Sequence, residues 1–191
     1  MKVVKTELDG VLIIEPRLFN DSRGYFFESF NAREFAALTG YDIHFVQDNE
    51  SRSTEGVVRG LHFQLPPHAQ SKLVRVITGT IIDIAVDIRR GSPTFGQHVA
   101  VELSADNHRQ LFIPRGFAHG FIVKHGDAIV QYKCDNLYAP DAERAIIWND
   151  EKLAIDWGIA SAETIISDKD ALNPSLDECD TLFDYNTDYY A

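Results

Sequence analysis

The segment VVRGLHFQLPPHAQSKLVRV, residues 57–76, carries Arg59, His62 and Lys72 inside a run of valines and leucines. Each of these groups costs free energy to bury without a partner, so together they face water or line a pocket. An imidazole can move protons near neutral pH, because its ordinary pKa is ~6.5. A lysine can steady an oxygen on which charge develops, and an arginine can clamp phosphate oxygens. A second histidine, His119, lies in PRGFAHGF at 114–121, again beside a glycine in an apolar stretch. Taken singly, His62 and His119 read equally well as satisfied core histidines or as functional groups. Their glycine neighbours would let the backbone approach a ligand closely. His44, His98, His108 and His125 lie in polar or turn contexts and read as surface groups.

The elements that must position these residues are short. Alternating or apolar runs at 11–15, 43–47, 57–64, 72–78, 80–89, 97–103, 110–113, 119–124, 128–134 and 144–148 predict strands. Between them fall Pro66-Pro67, Gly79, Gly91-Ser92-Pro93, Asp106-Asn107, Pro114 and Gly126-Asp127 as turn signals. Helical periodicity is confined to 31–39, with Asn31 as its cap. Many short strands at this spacing predict an antiparallel sandwich or barrel. In TIIDIAVDIR (80–89), Ile82, Ile84, Val86 and Ile88 share one face, while Asp83, Asp87 and Arg89 share the other. Lys72 falls with Val74 and Val76, and Tyr132 falls with Val130 and Cys134. Arg59 and His62 have opposite parity, so a flat strand cannot aim both inward. Gly60 between them permits a bulge that would change the register.

Composition narrows the class. The 191 residues carry a formal net charge of −11, which argues against general nucleic-acid binding. They predict one domain, spanning 1–191, large enough to bury most of its apolar surface. The N-terminal MKVVKTELDGVLIIEP is interrupted by charges and has no signal-peptide core, so the expected location is cytoplasmic, with no membrane partner. Cys134 and Cys179 lack metal or redox spacing and read as reduced thiols. The tail 177–191 has five acidic residues, no basic ones and several aromatics. It reads as a docked or a solvated segment, with partial order expected.

PRGFAHGF matches the second signature of the cupin superfamily, proline-x-glycine-x-x-histidine, and the stretch around His62 sits where the first signature belongs. Metal-binding cupins have a second histidine two positions after the first, followed by a glutamate. Here Gln64 takes that histidine's place and Lys72 occupies the carboxylate's region. A cation there repels a divalent metal, so no metal is expected. A closer resemblance rests on DSRGYFFESF (21–30), FVQDNESRS (45–53), VVRGLHFQ (57–64), QSKLVRVITG (70–79), DIAVDIRRGSPTFGQ (83–97), IPRGFAHGF (113–121), QYKCDNLY (131–138), IIWND (146–150) and SDKD (167–170), in that order. Together they resemble the dTDP-4-dehydrorhamnose 3,5-epimerase family. The resemblance implies an all-β cupin jelly-roll barrel with a few short helices, a homodimer, and no metal or organic cofactor.

It also implies a reaction. The family inverts C3 and C5 of dTDP-4-dehydro-6-deoxyglucose, whose C4 ketone acidifies both protons by forming enolates. A base, an acid on the opposite face and a positive charge at the oxygen are needed. The resemblance assigns His62 as base, with Asp170 of SDKD as its partner and Asp168 as a nearby rival. It assigns Tyr132 as acid and Lys72 to the enolate oxygen, and Asp83 could balance the charge cluster. Arg23, Arg59 and Lys169 match diphosphate contacts, and His119 matches a substrate-binding position. Gln47, Asn49 and Glu28 match the nucleobase contacts, Asp48 a substrate-binding position, Tyr138 a stacking face, and Glu143 a binding position whose role the sequence does not explain. Parts of 23–28 and 47–49 are expected to serve the partner subunit's site. Rival readings are a 3-only or 5-only epimerase or ketoisomerase on the same scaffold, a metal-dependent cupin oxygenase, and a non-catalytic sugar-binding cupin. Gln64 and Lys72 argue against the oxygenase, and the intact base–acid set argues against the binding protein.

Overall fold

The computed structural model describes residues 1–160 and 163–191. Its strands are β1 (Lys2–Lys5), β2 (Leu12–Glu15), β3 (Phe19–Asp21), β4 (Gly24–Phe26), β5 (Gln47–Ser53), β6 (Val58–Gln64), β7 (Lys72–Asp87), β8 (Arg89–Arg90), β9 (His98–Ser104), β10 (Gln110–Ile113), β11 (Phe117–Cys134), β12 (Glu143–Ala145) and β13 (Phe183–Asp184). One α-helix, α1 (Ala32–Thr39), follows β4. Asn31 accepts the Glu34 N–H at its start, and Gly40 ends it at φ 78°, where a side chain would be strained. The all-β expectation holds, and the helix begins where Asn31 predicts. Among the described residues, no helix is long and apolar enough to cross a membrane.

Two long strands organise the sheet. β7 and β11 run antiparallel along their whole lengths, from Lys72 opposite Cys134 to Asp87 opposite Phe117. Both bend at the same place, where Thr80 and Thr78 oppose His125 and Ile129 and the register shifts. Beyond the bend each strand acquires different neighbours. The first half of β7 pairs β10, and the second half of β11 pairs β5. The other halves pair β9 and β6, with β12 beyond β6. The continuous sheet thus folds into two layers around an interior of Val74, Val76, Ile81, Ala85, Leu111, Phe121 and Val130. A second cluster lies outside the β6 layer, where Val58, Leu61 and Phe63 pack against Ile146, Trp157, Leu176 and Phe183.

Several expected boundaries change. Runs 72–78 and 80–87 form one strand, with Arg89 in β8, and 119–124 and 128–134 form another, because Gly79 and Gly126-Asp127 lie opposite one another and bend a paired ladder instead of ending it. The run 43–47 is displaced: Ile43 and Phe45 pack beside α1 without joining a ladder, and the polar QDNESRS makes β5. The run 144–148 shortens to β12. The tail docks: Phe183 is buried, β13 pairs β8, and the Tyr190 hydroxyl lies 2.6 Å from Ser71 Oγ.

Candidate active site

His62 reaches the interior because β6 carries one extra residue. His62 pairs with His119 and Arg59 with Phe121, so three steps on β6 match two on β11. The bulge puts Val58, Leu61 and Phe63 on the outer face, leaving Arg59, His62 and Gln64 to face inward. Gly60 is required at this crossing: a Cβ there would lie 2.6 Å from Gly120 Cα. The glycines beside His62 and His119 therefore serve strand against strand.

His62 Nε2 lies 2.7 Å from Asp170 Oδ1. The carboxylate accepts from Nε2–H, which fixes the tautomer and leaves Nδ1 free to take a proton. Burial opposes ionisation of Asp170, but hydrogen bonds from His62, the Gly60 N–H and Ser167 hold its carboxyl below the usual carboxylate range. Asp168 is not this partner. Across the strand pair, His119 Nε2 meets Asp83 Oδ1 at 2.7 Å. Burial holds His119 below the ordinary imidazole range despite that carboxylate.

Two adjoining cavities contain the group. One, of about 210 Å³, is lined by Gln47, Asn49, His62, Gln64, Lys72, Tyr132, Tyr138 and Glu143, among others. The other, of about 110 Å³, shares His62, Lys72 and Tyr132 and adds Ser51, Arg59, His119 and Phe121. Lys72 Nζ stands 5.9 Å from the Tyr132 ring centroid. Burial lowers the Lys72 pKa, opposed by Cys134, Asp83 and Glu143, and burial raises that of Tyr132. Tyr132 is thus a protonated phenol at neutral pH, beside an amine whose burial works against its charge and whose neighbouring acidic groups favour it. Among the described residues, no three His, Cys, Asp or Glu side chains gather as a metal-holding group.

The rim is polar. Tyr138 Oη donates to Glu143 Oε2 at 3.1 Å, and Lys169 also pairs with Glu143. Burial works against the Glu143 charge, but Lys169 and Tyr138 hold its pKa below the usual range. Glu143 thus bonds both neighbours, Tyr138 and Lys169. Arg59 Nε donates to Ser53 Oγ at 2.9 Å.

Three predicted residues stand elsewhere in this chain. Asp48 has opposite parity to Gln47 and Asn49, and its carboxylate pairs with Lys133 outside the cavity. Arg23 is on the exposed β3–β4 hairpin, bonded to Asp21 at 2.6 Å. Glu28 lines a separate cavity with Arg17 and Phe19. Ser51 and Ser53 were missed, although Gln47, Asn49, Ser51 and Ser53 repeat at the period-two spacing that puts them on one face of β5. A larger cavity of about 400 Å³, between β12 and the tail, contains none of His62, Lys72 or Tyr132.

A family model described as dTDP-4-dehydrorhamnose 3,5-epimerase matches residues 5–178. The chain is 53% identical to dTDP-4-dehydrorhamnose 3,5-epimerase of Escherichia coli K12 over 178 residues, covering 93% of this chain and 96% of that one. A Legionella pneumophila dTDP-6-deoxy-D-glucose-3,5-epimerase, solved in complex with dTDP-4-keto-L-rhamnose, superposes with a TM-score of 0.93 at 47% identity, covering 97% of this chain and 99% of that one. A 3'-monoepimerase of Streptomyces bikiniensis, solved with dTDP-quinovose, is more distant: TM-score 0.84, 32% identity, 90% of this chain and 86% of that one. The match extends over both layers of the barrel and every strand that supplies the cavity, and this chain belongs to the dTDP-4-dehydrorhamnose 3,5-epimerase family.

Proposed function

We propose that the chain epimerises C3 and C5 of dTDP-4-dehydro-6-deoxy-D-glucose, giving dTDP-4-dehydro-L-rhamnose through enolate intermediates. The observation that carries this reading is the convergence of the Asp170-held His62, the protonated Tyr132 and Lys72 on one cavity. His62 Nδ1 removes the proton from the carbon beside the ketone. The electron pair moves into the C4 oxygen, where the Lys72 ammonium meets it. Tyr132 then donates its proton from the other side, inverting the carbon, and before the next carbon reacts His62 gives its proton to solvent and Tyr132 takes one back, so that base and acid are restored. A preorganised donor at such an oxygen contributes roughly 2.7–4 kcal/mol.

The cavities are small for a nucleotide sugar, since drug-sized ligands occupy roughly 300–1,000 Å³. They suit the hexose, and the nucleotide lies along the rim. Arg59 and Lys169 meet the diphosphate, His119 contacts the sugar side, Tyr138 stacks on the base, and Gln47 and Asn49 hydrogen-bond its edge. Arg23 and Glu28 complete the site from a second subunit. Phe19, Tyr25 and Phe26 on the same hairpin are 50%, 58% and 67% exposed, an apolar surface suited to docking on another copy. The working assembly in this reading is a homodimer.

The test follows deuterium entry and product formation by NMR in D₂O. Wild-type protein is expected to exchange and invert both carbons. His62→Ala should lose exchange and inversion by at least ~10²-fold. Tyr132→Phe should retain exchange while losing inversion on at least one carbon, because His62 can return a proton to the face it came from. Equal loss of both in Tyr132→Phe would make Tyr132 a positioning group, and exchange at one carbon in the wild type would assign a mono-epimerase.

A further inference from the structure

Gln64 stands where a metal-binding cupin has a histidine, and proton transfer at C3 and C5 gives it no task. It is 4% exposed, and its amide is fully committed. Nε2 donates to the His68 carbonyl at 2.7 Å and to the Leu137 carbonyl at 3.2 Å. Oε1 accepts the Ala139 N–H at 2.8 Å. Leu137 and Ala139 are the two chain neighbours of Tyr138. The peptide groups on both sides of the rim tyrosine therefore hang from one side chain. A second glutamine completes the hold: Gln47 Oε1 accepts the Tyr138 N–H at 2.9 Å.

We infer that Gln64 is a positioning residue for nucleotide binding, acting through the backbone of Tyr138. The segment it holds has little else to order it. Leu137 and Tyr138 are 60% and 53% exposed, so burial does not fix them. What fixes them is a set of side-chain bonds to main-chain groups, which includes Gln70 to the Asn136 carbonyl at 2.8 Å and Asn136 to the Pro67 carbonyl at 3.0 Å. A tyrosine at this rim can present its ring to a base at low entropic cost only if its backbone is already in place. Glutamine suits the post because one planar group supplies two donors and an acceptor. Histidine would supply fewer, and glutamate would supply no donor when ionised.

This inference rests on Tyr138 contacting the nucleotide, and a double-mutant cycle separates the two ideas. Affinity for dTDP is measured by calorimetry for wild type, Gln64→Met, Tyr138→Ala and the double variant, with KM and kcat for each. Losing the amide is expected to weaken dTDP binding about tenfold, the effect of one to two net hydrogen bonds, with KM rising by a larger factor than kcat falls. In the Tyr138→Ala background the same change should weaken binding less than about twofold, because the ring being positioned is gone. Equal factors in both backgrounds, or no weakening in either, would overturn the role of Gln64. Wild-type affinity in Tyr138→Ala would instead overturn the nucleotide contact itself, and this inference with it. If Gln64→Met does not fold, Gln64→Glu keeps the shape and the acceptor while losing both donors, and its cycle is read by the same criteria.

Discussion

Burial acts in opposite senses on Lys72 and Tyr132: it favours the neutral form of each, so the lysine loses its proton more readily and the tyrosine less so. The consequence concerns the alkaline limb of the rate profile. As pH rises, the Lys72 charge disappears through a pKa below the usual lysine value, while Tyr132 ionises through one above the usual phenol value. Loss of the charge at the enolate oxygen should therefore set the limb. Lys72→Arg should lower kcat by about 10–100-fold, because a planar guanidinium does not reproduce the ammonium's position. It should also move the alkaline limb upward, since arginine stays charged throughout. Measurement of kcat from neutral pH to the alkaline limit checks this, and an unmoved limb would assign it to another group. At this scale the sequence spoke through residue type more than position. Nothing in the 108 positions between His62 and Asp170 pairs them, and only the resemblance did so. Asp83 favours the Lys72 charge, as expected of a counter-charge, and it also bonds His119, because β7 and β11 place them on facing strands.

Among the elements, β7 does the most to hold the site in register. It carries Lys72 at its start and Asp83 near its end, and the turn that follows is pinned by Asp87. Asp87 is fully buried. Its carboxylate accepts from Arg89 at 2.8 and 2.9 Å, from Ser92 at 2.5 Å and from Thr94 at 2.7 Å. Burial raises its pKa, but these donors outweigh that and hold it below the usual range. A folded pKa below the unfolded one means stability that is present above ~3.9 and lost as pH falls through the folded value. Asp87→Asn should cost about 3 kcal/mol at pH 7, as when one partner of a buried pair is removed. The gap from wild type should narrow below about pH 4. Urea unfolding at both pH values measures it, and a gap that does not narrow would contradict the ion-pair account. Strand existence was legible here because period-two alternation survives in 80–87 and because 57–64 is an apolar run, although its alternation breaks at the bulge. Strand continuity was not: Gly79 and Gly126 read as breaks locally, and only their facing positions across the ladder turn them into a shared bend. β5 was hidden because a polar strand lining a wet cavity lacks the apolar signal of a core strand, although its serines and amides keep the period.

For the whole molecule, the unsettled element is the β3–β4 hairpin. Its tip carries Arg23 with an 88% exposed side chain, away from the cavity that holds His62. The family resemblance assigns Arg23 to the phosphates, and the proposed reading has a second copy supply it. In the proposed homodimer, a closed two-fold pair would make the exchange reciprocal, each hairpin covering the other's rim. Complementation tests this directly. Arg23→Ala should weaken dTDP binding by roughly 2–5 kcal/mol, the range for truncating one partner of a buried charged contact, and His62→Ala should abolish proton abstraction. Co-expressed with different tags and purified as mixtures, the two variants form hybrid dimers. In each hybrid, the subunit with His62 intact receives Arg23 from the His62→Ala subunit, while the other site lacks both groups. Random assembly makes half the dimers hybrid, so activity at low substrate should recover to about a quarter of wild type. If Arg23 served its own subunit's cavity, every site in every dimer would lack one group and no recovery would occur. A single-copy mass in solution at assay concentration would remove the shared-site account altogether.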